Sequence, residues 1–479
     1  MDAELFFTTL TLLVGFYMAW NIGANDVSNA MGTSVGSGAL TLRKAVIIAA
    51  ILEFCGAFFV GSDVSETMQR GLIDTTLFIQ EPMILILGFC SALLATGIWL
   101  QIASYFGWPV STTHAIVGAI LGFGFIGGGL SALHWGELSS IATSWVLSPL
   151  LSGLIAYTLF GILQRKILYT LQPVLATRKL FPSLVSFVLF TFTLSLLFNG
   201  LENVHLSFSL GHVILLSLGI GIIAFFLTKI CLKHFTSLST THASSHHASP
   251  QNVISLDKAV KHLQRIQANS TENTHKKVSG LLLEARFLSQ ELKKESCFSQ
   301  TSSEYKTVER MFVILQVLSA CFIAFAHGAN DVANAIGPVA AVLDVIKLGF
   351  VSPVSYIPSW LLAFGGLGIV IGLATWGWRV METIGRKITE LTPTRGFCAE
   401  FSAAIVILIA SKLGLPISTT HCIVGAVLGV GLAKGMKALN LSMIREIVLS
   451  WIITIPASAG VAILIFYLCK MLFLPLLNT

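Results

Sequence analysis

Residues 23–30 read GANDVSNA, and residues 328–335 read GANDVANA. Seven of these eight residues recur 305 positions apart, and each copy places an Asn-Asp pair inside a strongly apolar stretch. A carboxylate at the centre of a spanning helix is costly, roughly 3 kcal/mol on insertion scales, and such groups mark functional sites by default. The recurrence of the same costly group predicts a duplicated site within a membrane.

The composition indicates a polytopic membrane protein. Of the 479 residues, 54% are hydrophobic and 11% are charged, whereas a soluble protein of this size is nearer one quarter charged. Many segments exceed the ~18 apolar residues that a spanning helix needs. Spanning strands are shorter and alternate in polarity, so the segments read as helices. We therefore predict an all-α membrane protein with about twelve transmembrane segments.

Charge and cysteine usage argue against several other classes of protein. The net charge of +6 is assigned to Lys and Arg in cytoplasmic loops, so nucleic-acid binding is not expected. The eight cysteines are scattered without metal or redox spacing, which indicates small buried side chains. The first residues, MDAELFF, lack a basic region, so a cleaved signal peptide is not expected.

A second block is shared by the two ends of the chain. Residues 107–124 read GWPVSTTHAIVGAILGFG, and residues 414–431 read GLPISTTHCIVGAVLGVG, at an offset of 307. A weaker third match pairs Ser144-Trp145 with Ser450-Trp451. The matches predict a first transmembrane repeat (1–163), two linking helices (164–232), a polar cytoplasmic linker (233–310) and a second repeat (311–479).

The basic loops predict that the two repeats have opposite orientations. Loops at 43–44 and 165–179 are basic in the first half, whereas the basic loops of the second half, at 379–395 and 434–445, occupy non-equivalent positions. Because basic loops stay in the cytoplasm, equivalent loops are expected on opposite sides, with both termini outside. Inverted repeats with broken helices are typical of secondary transporters.

The polar linker 233–310 shows helical periodicity over 255–295, which favours a solvated helix or hairpin. Its run HASSHHAS (242–249) is either a metal-binding tract or, as we favour, a flexible polar linker. A third STTH, at 239–242, lacks the preceding Pro and the following IVGA, so we treat it as coincidence.

The octapeptides carry candidate cation ligands. Gly23 and Gly328 precede the Asn-Asp pairs, and glycine admits non-helical backbone. An unwound helix frees carbonyls that coordinate Na⁺ or H⁺ in transporters, and hard cations prefer oxygen ligands. The alternative to cation binding is a structural role, in which the Asn-Asp pair caps a helix in a polar pocket. The candidate side chains are Asn25, Asp26, Asn29, Asn330, Asp331 and Asn334.

The Pro-x-Ser-Thr-Thr-His blocks suit an oxyanion. Pro109 and Pro416 end one apolar segment and begin the next, which predicts re-entrant-like helical hairpins. The Ser-Thr-Thr run then opens a helix, whose N-terminus offers free N–H groups and hydroxyl donors. Capping of a tight hairpin is the alternative. The candidate residues are Ser111, Thr112, Thr113, Ser418, Thr419 and Thr420, with His114 and His421 either in a helix-capping or packing role or as proton-handling groups.

Two further carboxylates, Glu53 and Glu400, lie within apolar helices at non-equivalent offsets. Each is either a cation ligand, a proton carrier or a hydrogen-bond partner of a neighbouring helix. No repeated Lys or Arg lies beside these motifs, so an anion would share the site with up to four carboxylates, Asp26 and Asp331 included. Co-bound cations or protons would offset that charge. The residues thus favour an oxyanion carried together with Na⁺ or H⁺.

At these residues the chain resembles the inorganic phosphate transporter (PiT) family. The paired octapeptides and the paired Pro-x-STTH blocks match its signatures, over nearly all of the chain except the linker 233–310. The stretch GTSVGSGALTLRKA (32–45), followed by ILEF (51–54), looks like the sodium/phosphate symporter branch. One departure is Gly337-Pro338 in place of Gly32-Thr33, which would make the two cation sites unequal.

The resemblance implies a homodimer in a cell membrane, with phosphate and Na⁺ bound between inverted repeats and no cofactor beyond the co-transported ion. The implied phosphate ligands are Ser111, Thr112, Thr113, Ser418, Thr419 and Thr420, with Asn25 and Asn330. The implied ligands of the coupling ions are Asp26, Asp331, Glu53, Glu400, Asn29 and Asn334.

We therefore predict a secondary active transporter that imports phosphate with Na⁺ by alternating access. A proton-coupled (metal-)phosphate or sulfate permease of the same fold is the alternative. An intramembrane enzyme is not expected, because neither Gly-x-Ser-x-Gly nor His-Glu-x-x-His occurs in the sequence. A sensor that uses 233–310 as an output domain is the third hypothesis.

Overall fold

The computed structural model describes residues 3–108, 110–199, 208–235, 250–268, 272–295, 303–350, 357–378, 391–435 and 441–477. These residues are almost entirely helical, and the only β-bridge among them joins Ile73 to Leu133. The first repeat contains α1 (Ala3–Gly36), α2 (Leu42–Val60), α3 (Ser62–Arg70), α4 (Pro82–Phe106), α5 (Thr112–Gly128) and α6 (Trp135–Leu163). The middle of the chain contains α7 (Pro173–Asn199), α8 (Leu210–Phe235), α9 (Pro250–Ala268) and α10 (Glu272–Glu295). The second half of the chain contains α11 (Ser303–Leu348), α12 (Ser359–Trp376), α13 (Pro393–Lys412), α14 (Thr419–Lys434) and α15 (Leu441–Leu477).

The helix lengths fit a membrane protein. The described residues include nine helices long and apolar enough to span a bilayer, or ten if α2 and α3, bent by 66°, form one broken span. Helices α5 and α14, with 17 and 16 residues, are shorter. Each follows a tight turn at a left-handed glycine, Gly107 (φ 69°) or Gly414 (φ 66°), after α4 or α13. The all-α membrane fold is confirmed, whereas twelve segments and the inverted orientation stay predictions.

The predicted breaks in the octapeptide helices are wrong. Both α1 and α11 are continuous α-helices through the two motifs. A Cβ on Gly23 would lie 1.9 Å from the backbone oxygen of Ile369, and one on Gly328 would lie 2.1 Å from that of Glu53. The glycines therefore permit close helix packing instead of unwinding the backbone. The break lies at Gly61, between α2 and α3.

The two halves of the chain pack across each other with equivalent contacts. A Cβ on Gly372 would lie 1.9 Å from the backbone oxygen of Trp20, and one on Gly56 would lie 2.0 Å from that of Phe325. Trp20 and Phe325 are 305 positions apart, as are the two octapeptides. Helix α1 therefore packs on α12 as α11 packs on α2, and α11 also contacts α1, α3, α4, α7, α12 and α13. As a result of this crossed packing, the two octapeptide helices, α1 and α11, lie against each other.

Part of the linker forms the expected helical hairpin. Ser289 Oγ in α10 donates to Asp257 Oδ1 in α9 at 2.8 Å, and Gln267 Nε2 donates to Ser279 Oγ at 2.8 Å. The runs 239–242 and 242–249 lie outside the described residues. Helix α8 extends past residue 232 and α11 begins before residue 311. The division into four units stays a prediction.

Candidate functional site

The two Ser-Thr-Thr-His blocks begin helices α5 and α14, as predicted. Ser111 Oγ accepts the backbone N–H of His114 at 3.2 Å, and Ser418 Oγ accepts that of His421 at 3.2 Å. A serine in this position satisfies one of the N–H groups that a helix start leaves unpaired. The remaining free N–H groups, with the positive end of the helix dipole, face the turn.

The two helix starts meet each other. Thr113 Oγ1 donates to the carbonyl of Ile417 at 2.9 Å, and Thr420 Oγ1 donates to the carbonyl of Val110 at 3.3 Å. Each hairpin turn thus accepts a hydrogen bond from the other hairpin. Two helix N-termini therefore converge on one buried region, and a helix N-terminus favours the binding of an anion.

The second Asn of each octapeptide joins these helix starts. Asn29 Nδ2 donates to Thr420 Oγ1 at 2.9 Å, and Asn334 Nδ2 donates to Thr113 Oγ1 at 3.2 Å. Each bond crosses from one repeat to the other, as α1 reaches α14 and α11 reaches α5. Thr419 Oγ1 also donates a hydrogen bond to the carboxylate oxygen Oδ2 of Asp331, at 2.9 Å. The octapeptides and the hydroxyl blocks therefore form one site.

The first Asn of each octapeptide braces a hairpin. Asn25 Nδ2 donates to Ser104 Oγ at 3.0 Å, and Asn330 Nδ2 donates to Ser411 Oγ at 3.1 Å. Both amides also reach a backbone carbonyl of the turn that follows α4 or α13. These bonds repeat at the same offsets as the sequence motifs. The two amide oxygens are buried and accept no hydrogen bond.

Three buried ionisable side chains form a cluster between α1 and α11. Asp26, His327 and Asp331 are fully buried, and their candidate ligand atoms all lie within 4.8 Å of one another. His327 Nε2 lies 2.9 Å from Asp331 Oδ2, and His327 Nδ1 lies 3.3 Å from Glu53 Oε1. His327 therefore brings Glu53 to the cluster.

Sequence reasoning missed His327. It immediately precedes the second octapeptide, and its repeat counterpart is Ile22. The two halves therefore differ at this position, and comparison of the repeated motifs does not single it out. The available signal was a histidine four residues, or one helical turn, before Asp331.

The site leaves several oxygens available to a cation. Buried oxygens without a hydrogen bond are uncommon in native proteins and call for an explanation. Oxygens of this type are ligands of hard cations. Within the described ranges, the buried oxygens that accept no hydrogen bond include Asn25 Oδ1, Asp26 Oδ2, Asn29 Oδ1, Asn330 Oδ1, Asp331 Oδ1 and Asn334 Oδ1.

Glu400 lies in a different environment from the other three carboxylates. Its Oε1 accepts hydrogen bonds from Thr33 at 2.5 Å and from Ser34 at 2.6 Å, near the end of α1. Gln316 Nε2 donates to Oε1 at 3.3 Å, and Ser319 Oγ donates to Oε2 at 2.6 Å. This cage of hydroxyl and amide donors satisfies both carboxylate oxygens. The four carboxylates therefore do not share one environment, and their arrangement around a bound anion stays a prediction.

The histidines of the two blocks pack on tryptophans. The ring centroids of His114 and Trp145 lie 3.9 Å apart, and those of His421 and Trp451 lie 3.5 Å apart. The two imidazoles contact each other edge to face at 4.5 Å. The weak Ser-Trp match in the sequence thus marks the aromatic partners of these histidines, and their role in capping, packing or proton handling stays a prediction.

Residues 22–462 match the model of the phosphate transporter family. The chain belongs to this family. The match spans both octapeptides and both Ser-Thr-Thr-His blocks, and the resemblance drawn from those motifs is confirmed.

Relatives in the phosphate transporter family share the full length of the chain. It is 45% identical, over 96% of its length and 98% of the relative's, to a protein of Chlamydia pneumoniae provisionally named a phosphate permease. It is 43% identical, over 95% of its length, to inorganic phosphate transporter 2-1, chloroplastic, of Arabidopsis thaliana, of which it covers 70%. A solved structure described as the sodium-dependent phosphate transporter matches with a TM-score of 0.78 and 34% identity, over 97% of this chain and 99% of that one.

Proposed function

We propose that this protein imports inorganic phosphate by symport with Na⁺, through alternating access about the site between its two repeats. The observation that carries the proposal is the meeting of two helix N-termini with their hydroxyls beside buried carboxylates. Hydroxyls and free N–H groups bind the phosphate oxygens, whereas carboxylates and amide oxygens bind cations. A site with both sets of groups suits an anion and a cation together.

The roles follow from donors and acceptors. The donors are on the starts of α5 and α14, and we assign the phosphate to Ser111, Thr112, Thr113, Ser418, Thr419 and Thr420, with Asn25 and Asn330. Unpaired oxygens lie on α1, on α11 and, at Glu53, on α2, and we assign the coupling ions to Asp26, Asp331, Asn29 and Asn334, with Glu53 and Glu400. The structural neighbour described as sodium-dependent supports Na⁺ as that ion.

Alternating access is supported by the crossed packing of the repeats. The site lies where each repeat contributes one octapeptide helix and one hydroxyl block, so a rocking of one repeat on the other would open it to either side. We further propose a homodimer in the cell membrane, surrounded by lipid, with 233–310 in the cytoplasm and both termini outside. The loop charges support that orientation.

The test is uptake of labelled phosphate by proteoliposomes that contain the purified protein. An inward Na⁺ gradient at equal pH on both sides should drive accumulation, and a proton gradient without Na⁺ should not. Sulfate in tenfold excess should leave uptake unchanged, whereas unlabelled phosphate should abolish it. Liposomes without protein are the control. Uptake driven by protons alone would favour the proton-coupled alternative, and inhibition by sulfate would contradict the assignment of phosphate.

A further inference from the structure

Helix α3 is the polar half of a broken span. Helix α2 ends at Val60, and α3 leaves it at an angle of 66°. At the break, a Cβ on Gly61 would lie 2.4 Å from Cγ1 of Val332, the valine of the second octapeptide. The break therefore lies directly against the helix that carries Asp331, the next residue along the chain from that valine towards the N-terminus.

The same kind of contact occurs in the other half of the chain. A Cβ on Gly377, at the end of α12, would lie 2.4 Å from Cγ1 of Val27, the valine of the first octapeptide. The residues after Gly61 read SDVSETMQR, and those after Gly377 read WRVMETIGR, with Val, Glu, Thr and Arg at equivalent places. Residues 379–390 lie outside the described ranges. A glycine packed on the octapeptide valine is thus common to both halves.

Helix α3 docks on α11 beside the second octapeptide. A Cβ on Gly337, two residues after that octapeptide, would lie 2.5 Å from Met68 Cβ. At the end of α3, Gln69 Nε2 donates a hydrogen bond to Asp344 Oδ2 at 2.9 Å, and a guanidinium nitrogen of Arg70 lies 3.6 Å from the same oxygen. Close packing and polar contacts therefore both hold α3 on α11.

The same helix lies across the turn between α13 and α14. Thr67 Oγ1 lies 3.1 Å from the place of a Cβ on Gly414, in the turn, and Lys412 Nζ lies 3.6 Å from Asp63 Oδ2. The turn leads to Ser418 at the start of α14, where the hydroxyl run to which we assign the phosphate begins. Helix α3 therefore covers one side of the proposed phosphate site.

The other face of α3 is polar and turned away from the protein. Glu66 is exposed, whereas Val64 and Met68 are buried. Charged side chains are costly in lipid, so this face meets water. The side chains of the two ion pairs, Arg70–Asp344 and Asp63–Lys412, are between 22% and 32% exposed, and ion pairs of this type are weak. Helix α3 thus lies between water and the site, held in part by contacts that break easily.

We propose that α3 is a gate, which closes one aqueous route to the site when it docks on α11 and on the α13–α14 turn. It opens that route when it turns away at Gly61, and the two ion pairs latch the closed form. With the N-terminus outside, as proposed, α1 and α2 cross the membrane in turn, so the route leads outside. The gate rests on the proposed function, because alternating access needs an element that opens and closes on each side of the site.

The first experiment ties α3 to the turn. Because Thr67 Oγ1 lies 3.1 Å from the Cβ place of Gly414, Thr67→Cys with Gly414→Cys fits a disulfide. Oxidation by diamide should lower phosphate uptake by about tenfold or more, since a gate that stays closed stops each cycle, and dithiothreitol should restore it to within about twofold. The two single variants are the controls. They keep the native cysteines and the side chain at Gly414, and diamide should leave their uptake unchanged.

A second experiment follows the gate without transport. Ser65 is fully buried where α3 packs on α11, and its backbone oxygen lies 2.8 Å from the place of a Cβ on Gly337. Ser65→Cys should therefore react with a membrane-impermeant thiol reagent only when α3 turns away, with the parent protein as background. Adding Lys412→Gln should raise the labelling rate by about two- to fivefold, because it removes one latch. Lys229→Gln in α8 is the matched control, since Lys229 and Lys412 each lie over a phenylalanine ring.

Equal uptake by the oxidised and the reduced double-cysteine protein, once the disulfide has formed, would overturn the gate. If the disulfide does not form, the labelling decides. Ser65→Cys that stays unreactive, or that reacts equally fast with and without Lys412→Gln, would contradict a latched helix. Should the wild type take up no phosphate under a Na⁺ gradient, the proposed function fails, whereas the labelling rates still judge the movement of α3.

Discussion

The two Asn-Asp motifs are alike in their contacts, whereas the regions next to them have diverged. Asn25 and Asn330 make the same bonds to α4 and α13, and Asn29 and Asn334 make the same bonds to the hydroxyl blocks. The cage around Glu400 has no such counterpart. Leu93, Pro338, Val339, Thr11 and Val14 stand at the positions equivalent to Glu400, Thr33, Ser34, Gln316 and Ser319.

We expect the function of the site to depend on the contacts that both halves share. The duplicated bonds are those that hold the two hydroxyl blocks against the octapeptides. Two features have no counterpart in the other half of the chain. They are Glu400 with its hydrogen-bond donors, and Glu53 with His327. We expect changes in the duplicated contacts to abolish function and changes in the added contacts to alter it by degrees.

The largest effect is expected from Asp26→Asn and Asp331→Asn. Each removes a carboxylate charge from the centre of the cluster, and phosphate uptake should fall to background in both. The unfolding temperature should separate them, because Asp331 Oδ2 lies 2.9 Å from His327 Nε2. A buried pair that loses one partner is destabilised by about 3–5 kcal/mol. Uptake assays and thermal unfolding check the two statements. Full uptake in either variant would contradict the role given to the octapeptides.

The packing glycines should give the next largest effect. In Gly23→Ala and Gly328→Ala, the new methyl group meets a backbone oxygen at 1.9 Å and 2.1 Å, so helices must separate. Overpacking of this kind costs about 1–3 kcal/mol, and we expect a lower unfolding temperature with reduced uptake. Gly219→Ala in α8 is the control, since a Cβ there meets nothing within 4 Å. Equal stability of all three variants would show that the crossed packing tolerates movement.

The role of these glycines could not be predicted from the sequence alone. The Pro-x-Ser-Thr-Thr pattern predicted the starts of α5 and α14, because that chemistry is local to a helix N-terminus. Glycine in an apolar helix has two uses, unwinding and close approach, and only the partner helix shows which one applies. The crossing of Asn29 to Thr420 is likewise tertiary. His327 was missed because comparison of the two halves finds only the residues that they share, and the first half has Ile22 at the equivalent position.

A moderate effect is expected from Glu400→Gln. The Gln side chain has the same size, but it lacks the negative carboxylate whose oxygens accept hydrogen bonds from Thr33, Ser34 and Ser319. Hydrogen bonds to a charged group contribute about 1.5–3 kcal/mol each, so we expect the half-saturating Na⁺ concentration to rise by about tenfold. Leu93→Met, in the equivalent apolar place, is the control and should behave as the wild type. An unchanged Na⁺ dependence in Glu400→Gln would make the cage purely structural.

The smallest effect is expected from the α9–α10 hairpin, which has no counterpart in either repeat. Its helices bond to each other through Ser289 and Asp257 and through Gln267 and Ser279, away from the contacts that build the site. Replacement of 250–295 by a Gly/Ser linker should leave phosphate uptake within about twofold of the wild type, since flexible linkers tolerate such changes. Proteoliposome uptake measures this directly. Loss of uptake would mean that the hairpin controls the transport cycle, and a loss confined to a cellular phosphate response would favour sensing. Because the site is complete without these helices, we expect neither.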